Sequence, residues 1–206
     1  MSAIIFDFDG TIADSFDYVA EFLAREIGIE QLSNNQREEL RLKSMSAMAR
    51  YLKYPKWKMV TLYFRGRKAM SRDIRNIQPF ADMPDVIRKL HAEGHELFIV
   101  TSNSLNNVHE FLHHHKLHTN FLKVVASVSI FGKASALRSL LKDQKLDFKD
   151  SIYIGDELRD VQAAKSIKLR VIAVTWGFAS LKELEGAKPL ALIHKPEDLI
   201  KILEEL

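Results

Sequence analysis

The chain contains no cysteine. That excludes disulfides, thiol nucleophiles and cysteine metal sites, and it fits a reducing compartment. No apolar run approaches the ~20 residues that a membrane span needs, so no membrane partner is expected. No basic segment precedes the short apolar start, which argues against a secretory leader and leaves a cytoplasmic location as the expectation. Internal repeats and low-complexity tracts are absent as well.

What is present is an ordinary globular composition. Of 206 residues 47% are hydrophobic, enough for a real core and for one domain with an insert. Net charge is only +3, but it is unevenly spread. From Arg37 to Arg75 twelve Lys/Arg stand against three Asp/Glu, a local net of +9 that leaves the rest of the chain at −6. A basic segment against an acidic remainder points to an anionic ligand or to a solvated helix surface, because Lys and Arg are good helix formers.

Periodicity organises the chain. Residues 2–7 read as a buried strand and residues 16–30 as a helix, with Phe16, Val19, Ala20, Leu23 and Ile27 at helical spacing. Ser33-Asn34-Asn35 marks a helix start, Gln36 to Lys53 is helical, Pro55 ends that element, and Trp57 to Arg75 is helical again. Pro79 and Pro84 are expected to bracket a loop. Strands and helices then alternate: strands at 96–100, 122–126, 151–154, 170–174 and 191–194, helices at 85–93, 104–116, 133–142, 160–166 and 197–206. Such alternation predicts an α/β fold, a doubly wound parallel sheet with ligands gathered at the carboxyl ends of its strands. The expected organisation is a Rossmann-like core over residues 1–15 and 79–206, with an all-α cap over residues 16–78 inserted after the first strand.

The strand ends carry the chemistry. The first strand delivers Asp7 and Asp9 into Gly10-Thr11, although aspartate and glycine are poor strand formers and unpaired buried charge is costly. The second leaves Thr101, Ser102 and Asn103. A later one leaves Asp156, with Asp160 four residues on, and Lys133 opens a helix. Carboxylates and a lysine gathered on one edge make a hard, oxygen-rich site suited to Mg²⁺. Asp7 and Asp9 lie two apart, so one can act as a nucleophile while the other moves a proton. A carboxylate attacking phosphorus forms an aspartyl-phosphate, and Gly10, Thr11, Ser102 and Asn103 stand nearby as substrate-binding candidates.

These residues resemble a known family. DFDGT at 7–11, the apolar strand ending in Thr101, Lys133, and GDELRD at 155–160 are similar to the four motifs of the haloacid dehalogenase superfamily, in its order and spacing. The resemblance implies that Asp7 is the nucleophile and Asp9 the general acid/base. It implies that Asp7, the backbone carbonyl of Asp9 and Asp156 bind Mg²⁺, that Thr101 and Lys133 hold the phosphoryl group, and that Asp160 supports the metal site. Asp14-Ser15, Thr175-Trp176-Gly177-Phe178 and the helical insert resemble phosphoglycolate-phosphatase-like members. An acid at position 9 sets the chain apart from the dehalogenases, which resemble it in fold but lack that acid. It also separates the chain from phosphonate-cleaving members, which carry alanine there. The expected activity is therefore a Mg²⁺-dependent phosphatase acting on a small phosphorylated metabolite, as a monomer or homodimer. A sugar-phosphate mutase and a pyrophosphatase need the same residues and remain alternatives.

Other features have simpler readings. Gly132-Lys133-Ala134-Ser135 is no phosphate-binding loop, since Ser127 stands where that motif needs glycine and Ala134 where it needs Ser or Thr. Asp7-Phe8-Asp9-Gly10 lacks the third acid of a calcium loop. The tract His109, His113, His114, His115 and His118 reads as a solvated helix end. Trp57, Tyr63 and Phe64 read as cap core rather than as a stacking platform for nucleic acid, which would otherwise use the basic segment.

Overall fold

The computed structural model describes residues 2–41, 50, 59–127 and 132–206. Most of the expected Gln36–Lys53 helix, Pro55, Trp57 and much of the basic segment lie outside the described residues.

Six strands form one parallel sheet: β1 (Ala3–Phe6), β2 (Glu96–Thr101), β3 (Lys123–Ala126), β4 (Ser151–Gly155), β5 (Arg170–Val174) and β6 (Ala191–Ile193). Their order is β3-β2-β1-β4-β5-β6. β1 is central, with Ile5 opposite Phe98 of β2 and Tyr153 of β4. The chain runs outward from β1 to β2 and β3, then returns to the other side of β1 as β4. That reversal is the switch point where an open α/β sheet leaves a crevice at its carboxyl edge.

Alternation along the strands builds a core on each face, since successive side chains point to opposite sides. Ile4 and Phe6 join Leu97, Ile99, Ile152 and Ile154 on one face. They pack against α4 (Met83–Ala92), α5 (Leu105–His114) and α9 (Asp198–Glu205) through Ile87, Phe111 and Leu199. Ala3 and Ile5 join Phe98, Val100, Tyr153 and Val171 on the other. There they meet α6 (Lys133–Asp143), α7 (Leu158–Ser166) and α8 (Leu181–Ala187) through Leu140, Val161 and Leu184.

Between β1 and β2 the regular elements among the described residues are helices. α1 (Phe16–Glu26) stops four residues short of its expected end, because Gly28 adopts a left-handed φ of 86° and turns the chain. α2 (Asn34–Arg41) starts with a reciprocal cap: the Gln36 N–H donates to Ser33 Oγ (3.3 Å) and the Ser33 N–H to Gln36 Oε1 (2.9 Å). α3 (Met59–Asp73) ends in a 3₁₀ turn, Ile74–Asn76. Phe16, Ala20, Leu23, Leu32, Leu40 and Leu62 form a third small cluster. Phe178, from the loop after β5, belongs to it and ties it to the carboxyl edge of the sheet.

Three local expectations need correction. Pro84 does not end a loop; it lies in the first turn of α4, where its missing N–H has no intrahelical partner to lose. The helix expected from Asp160 begins at Leu158, because Glu157 and Asp160 form a capping box around its start. Phe64 is half exposed (50%) rather than core. Helix α8, absent from the sequence reading, is announced by a Ser180/Glu183 capping box.

Candidate active site

The backbone after β1 delivers the first carboxylate. The Asp7 N–H donates to the Ile154 carbonyl at 2.8 Å, extending the β1–β4 ladder by one residue. Phe8 then drops into the core, edge-on to Phe111 at 5.0 Å between ring centres. Its carbonyl accepts the Ile12 and Ala13 N–H groups at 2.9 and 3.0 Å and curls the chain back. Gly10 sits in that turn with φ 77°, and a Cβ there would lie 2.2 Å from Asp156 Oδ2. Glycine is required on both counts.

Lys133 is the first residue of α6 and almost fully buried. Its Nζ stands 2.8 Å from Asp7 Oδ2 and 2.5 Å from Asp160 Oδ1, and 5.7 Å from the centre of the Tyr153 ring. Asp160 Oδ2 accepts the Glu157 N–H at 3.0 Å. Asp156, after β4, accepts the Thr11 hydroxyl on Oδ1 (2.9 Å) and the Phe178 N–H on Oδ2 (2.7 Å). Gly177 packs so tightly that a Cβ would sit 2.2 Å from Asp156 Oδ2, and Trp176 donates from Nε1 to the Thr11 carbonyl at 3.1 Å. The loop after β5 therefore buttresses both Asp156 and the turn after β1. Oxygens of Asp7, Asp156 and Asp160 all lie within 4.8 Å of one another.

This crowding sets the electrostatics. Burial pushes the Asp7 carboxyl up to about 7, although Lys133 pulls it down. Asp156 is held well above the usual carboxylate range by burial and by the adjacent acids Glu157, Asp160 and Asp7. For Asp160 burial acts upward, but the nearby Lys133 and Arg159 prevail and hold it below that range. Lys133 is lowered by burial and raised by Asp160 and Asp7, with a net rise that keeps it cationic.

Asp9 takes a different position. Its carboxylate is outside the cluster of three and faces a cavity of about 190 Å³. Oδ2 accepts Asn103 Nδ2–H at 2.9 Å. Burial raises its pKa, partly offset by Ser15 and Asn103. The Thr101 hydroxyl accepts the Asn103 N–H at 2.9 Å and keeps its own proton to donate. Ser102 and Asn103 line the cavity beside Asp9. Its far walls come from α1 and α3: Tyr18, Val19, Phe22, Leu62 and Met70.

The fold thus brings most of the candidate site residues together. Asp7, Lys133, Asp156 and Asp160 form one cluster with Thr11 on its edge, while Asp9, Ser102 and Asn103 line the adjoining cavity. The sequence reading missed Arg159 and the cavity wall of Phe22 and Met70. Arg159 lines the cavity and bonds to Glu157 through Nε at 3.0 Å; its place inside the GDELRD motif was the available signal. The histidine tract behaves as expected: His109, His113, His114 and His118 are exposed, and His115 bonds to the Ile77 carbonyl at 2.9 Å. Among the described residues no helix is long and apolar enough to cross a membrane.

Comparison with known proteins agrees with this geometry. The family model of haloacid dehalogenase-like hydrolases matches residues 4–174. A phosphoglycolate phosphatase of Synechococcus elongatus is 32% identical over 209 residues, covering 100% of this chain and 99% of that protein. A 5'-nucleotidase of Pseudomonas aeruginosa is 24% identical, covering 98% of this chain and 95% of its own length. Among solved structures, a haloacid dehalogenase-like hydrolase from Streptococcus pneumoniae superposes with a TM-score of 0.77 at 23% identity, covering 98% of each chain.

Proposed function

The chain belongs to the haloacid dehalogenase-like hydrolases and is a phosphatase of that family, and on this premise we propose that it hydrolyses a small phosphorylated metabolite through an aspartyl-phosphate on Asp7. The observation that carries the reading is the contact of buried Asp7 with Lys133, beside Asp156, with a second carboxylate two residues on, Asp9, lining a cavity.

Each residue then has a task. Lys133 holds Asp7 in place and offsets charge on the phosphoryl oxygens, to which Thr101 donates its hydroxyl proton. An Asp7 oxygen attacks phosphorus as the ester P–O bond breaks. The electron pair leaves with the alcohol oxygen, which takes a proton from Asp9. Asp9, now ionised, deprotonates the water that attacks the aspartyl-phosphate, and phosphate departs with Asp7 restored.

The donor set fits Mg²⁺. Three carboxylates against one lysine leave excess negative charge, which adds to burial in holding Asp156 far up, and all the ligand atoms are hard oxygens. Asp7, Asp156 and the Asp9 backbone carbonyl would hold the ion, and Asp160 would support it, its oxygens being engaged by Lys133 and the Glu157 N–H. Bound there, Mg²⁺ would supply charge stabilisation to the transferring phosphoryl group.

Residues 16–78 are read as a cap whose helices α1 and α3 wall the cavity that receives the leaving group. Relatives named as a phosphoglycolate phosphatase and a 5'-nucleotidase both match nearly the whole chain, so the alcohol is to be identified by experiment. A Mg²⁺-dependent screen of phosphorylated metabolites, phosphoglycolate included, with Asp7→Asn as control, tests the proposal. Turnover by the wild type and none by the variant is expected. Comparable turnover by both would remove Asp7 from the nucleophile's role.

A further inference from the structure

A chain of side-chain amides links Asp9 to helix α3, and none of it belongs to the four motifs except at its end. Asn107, on α5, is only 2% exposed. From Nδ2 it donates to the Arg67 carbonyl of α3 at 3.0 Å and to Asn103 Oδ1 at 2.9 Å. Asn103 Oδ1 also accepts the Ser104 N–H at 2.7 Å. Asn103 Nδ2 in turn lies 2.9 Å from Asp9 Oδ2 and 3.2 Å from Met70 Sδ. Arg67 and Met70 are three residues apart and share one face of α3, so the helix touches this chain at both ends.

The pattern leaves Asn103 one orientation. Its oxygen meets two donors, and its nitrogen meets two acceptors. Reversal would set Asn103 Oδ1 against the Asp9 carboxylate and its NH₂ against the N–H of Ser104. The amide donating to Asp9 Oδ2 leaves Oδ1, a buried oxygen, to carry the proton of the neutral acid. Without Asn107, Asn103 Oδ1 keeps a single donor, and the amide is free to tilt away from Asp9.

We propose that Asn107 is a positioning residue for proton transfer: through Asn103 it sets the orientation of Asp9 and makes that orientation depend on α3 being seated on the core. The proposal rests on the phosphatase reading, with Asp9 as the acid. It follows that the loss of Asn107 damages the step in which the departing oxygen takes a proton while sparing attack by Asp7.

The discriminating experiment compares two classes of phosphate ester by kcat/KM, which reports events up to formation of the aspartyl-phosphate. Alkyl esters depart as poor leaving groups and need the proton from Asp9. 2,4-Dinitrophenyl phosphate departs without it. With saturating Mg²⁺, Asn107→Ala is expected to lose about 10- to 100-fold in kcat/KM on the best alkyl ester of the panel. It should stay within about threefold of wild type on the dinitrophenyl ester, since little acid assistance is needed there. Equal losses on both esters, or no loss on either, in a folded variant overturn the proposal. If Asn107→Ala does not fold, Asn107→Ser is judged by the same comparison. A wild-type protein inactive on every ester overturns the phosphatase reading itself, a result distinct from equal losses in an active enzyme.

Discussion

The ammonium of Lys133 stands 2.8 Å from Oδ2 of Asp7, with each side chain only 4% exposed. A cation and a carboxylate so placed in a dry site hold each other in position. Neither has water to replace its partner, so the pair matters to the fold as well as to the chemistry.

Lys133→Met leaves Asp7 and Asp160 buried without their shared counter-charge. Breaking a buried pair by removing one partner costs about 3–5 kcal/mol, and activity should fall by at least about 100-fold. Lys133→Arg is not expected to rescue, because a planar guanidinium cannot occupy the place of a point charge between two carboxylates. Denaturant unfolding and steady-state rates on the same preparations check both claims; wild-type stability in Lys133→Met would contradict them.

Asp7 predicts a pH dependence of stability in the metal-free protein. Its carboxyl moves from an ordinary 3.8 to about 7 on folding. A folded-state value above the unfolded one means that the folded protein binds the proton more tightly. The stability this contributes is complete below about pH 4 and is lost as pH rises through about 7. Asp160, held below its ordinary value, acts in the opposite sense and weakens the fold as pH falls below the usual carboxylate range. Thermal midpoints of wild type and Asp7→Asn in chelator between pH 4 and 8 should therefore diverge, with the variant gaining on wild type as pH rises. A constant difference would refute the assignment.

Two glycines give opposite outcomes on substitution. A Cβ at Gly177 would lie 2.2 Å from Asp156 Oδ2, so Gly177→Ala must displace either Asp156 or the loop after β5. A loss of about 100-fold or more in turnover and weaker Mg²⁺ affinity are expected, because misplacement by about 1 Å is enough for that. A Cβ at Gly186 in α8 meets nothing within 4 Å, so Gly186→Ala should keep activity and gain up to about 1 kcal/mol from helix propensity. Rates and Mg²⁺ titrations on the pair check the contrast.

The ring of Phe22 lines the cavity and lies against Gly66 of α3. Phe22→Ala should enlarge the space for the leaving group without touching Asp7 or Asp9. The ratio of kcat/KM for a bulky ester to that for a small one should rise by about tenfold, equivalent to one or two buried methylenes. An unchanged ratio would place the leaving group elsewhere.

Much of the fold was legible because its signals are local. Apolar runs such as Ile4 to Phe6 and Ile152 to Ile154 mark strands buried on both faces, and all six expected strands are present within one or two residues. Misreadings came where one local rule overrode another. Proline ordinarily breaks a helix, yet Pro84 sits in the first turn of α4, which tolerates it, and the Ser180/Glu183 pair caps an α8 of only seven residues. Residues of the cavity wall were not legible as such. Phe22 and Met70 sit on amphipathic helices, and nothing in their spacing distinguishes a side chain facing a cavity from one facing the core.

The sequence alone determined the family, the alternation of strand and helix, and the set of charged residues at the strand ends, because each depends on a short stretch of chain. Only the tertiary structure decided how they are grouped. It grouped Asp7, Asp156 and Asp160 together, with Lys133 between Asp7 and Asp160, and set Asp9 apart on the cavity wall. The contacts that do so are long-range: Asp9 meets Asn103 across 94 residues, and Thr11 meets Asp156 across 145. Such contacts arise only when the parallel sheet closes its crevice beside β1. Equivalent carboxylates then acquire different neighbours, different degrees of burial and so different proton affinities.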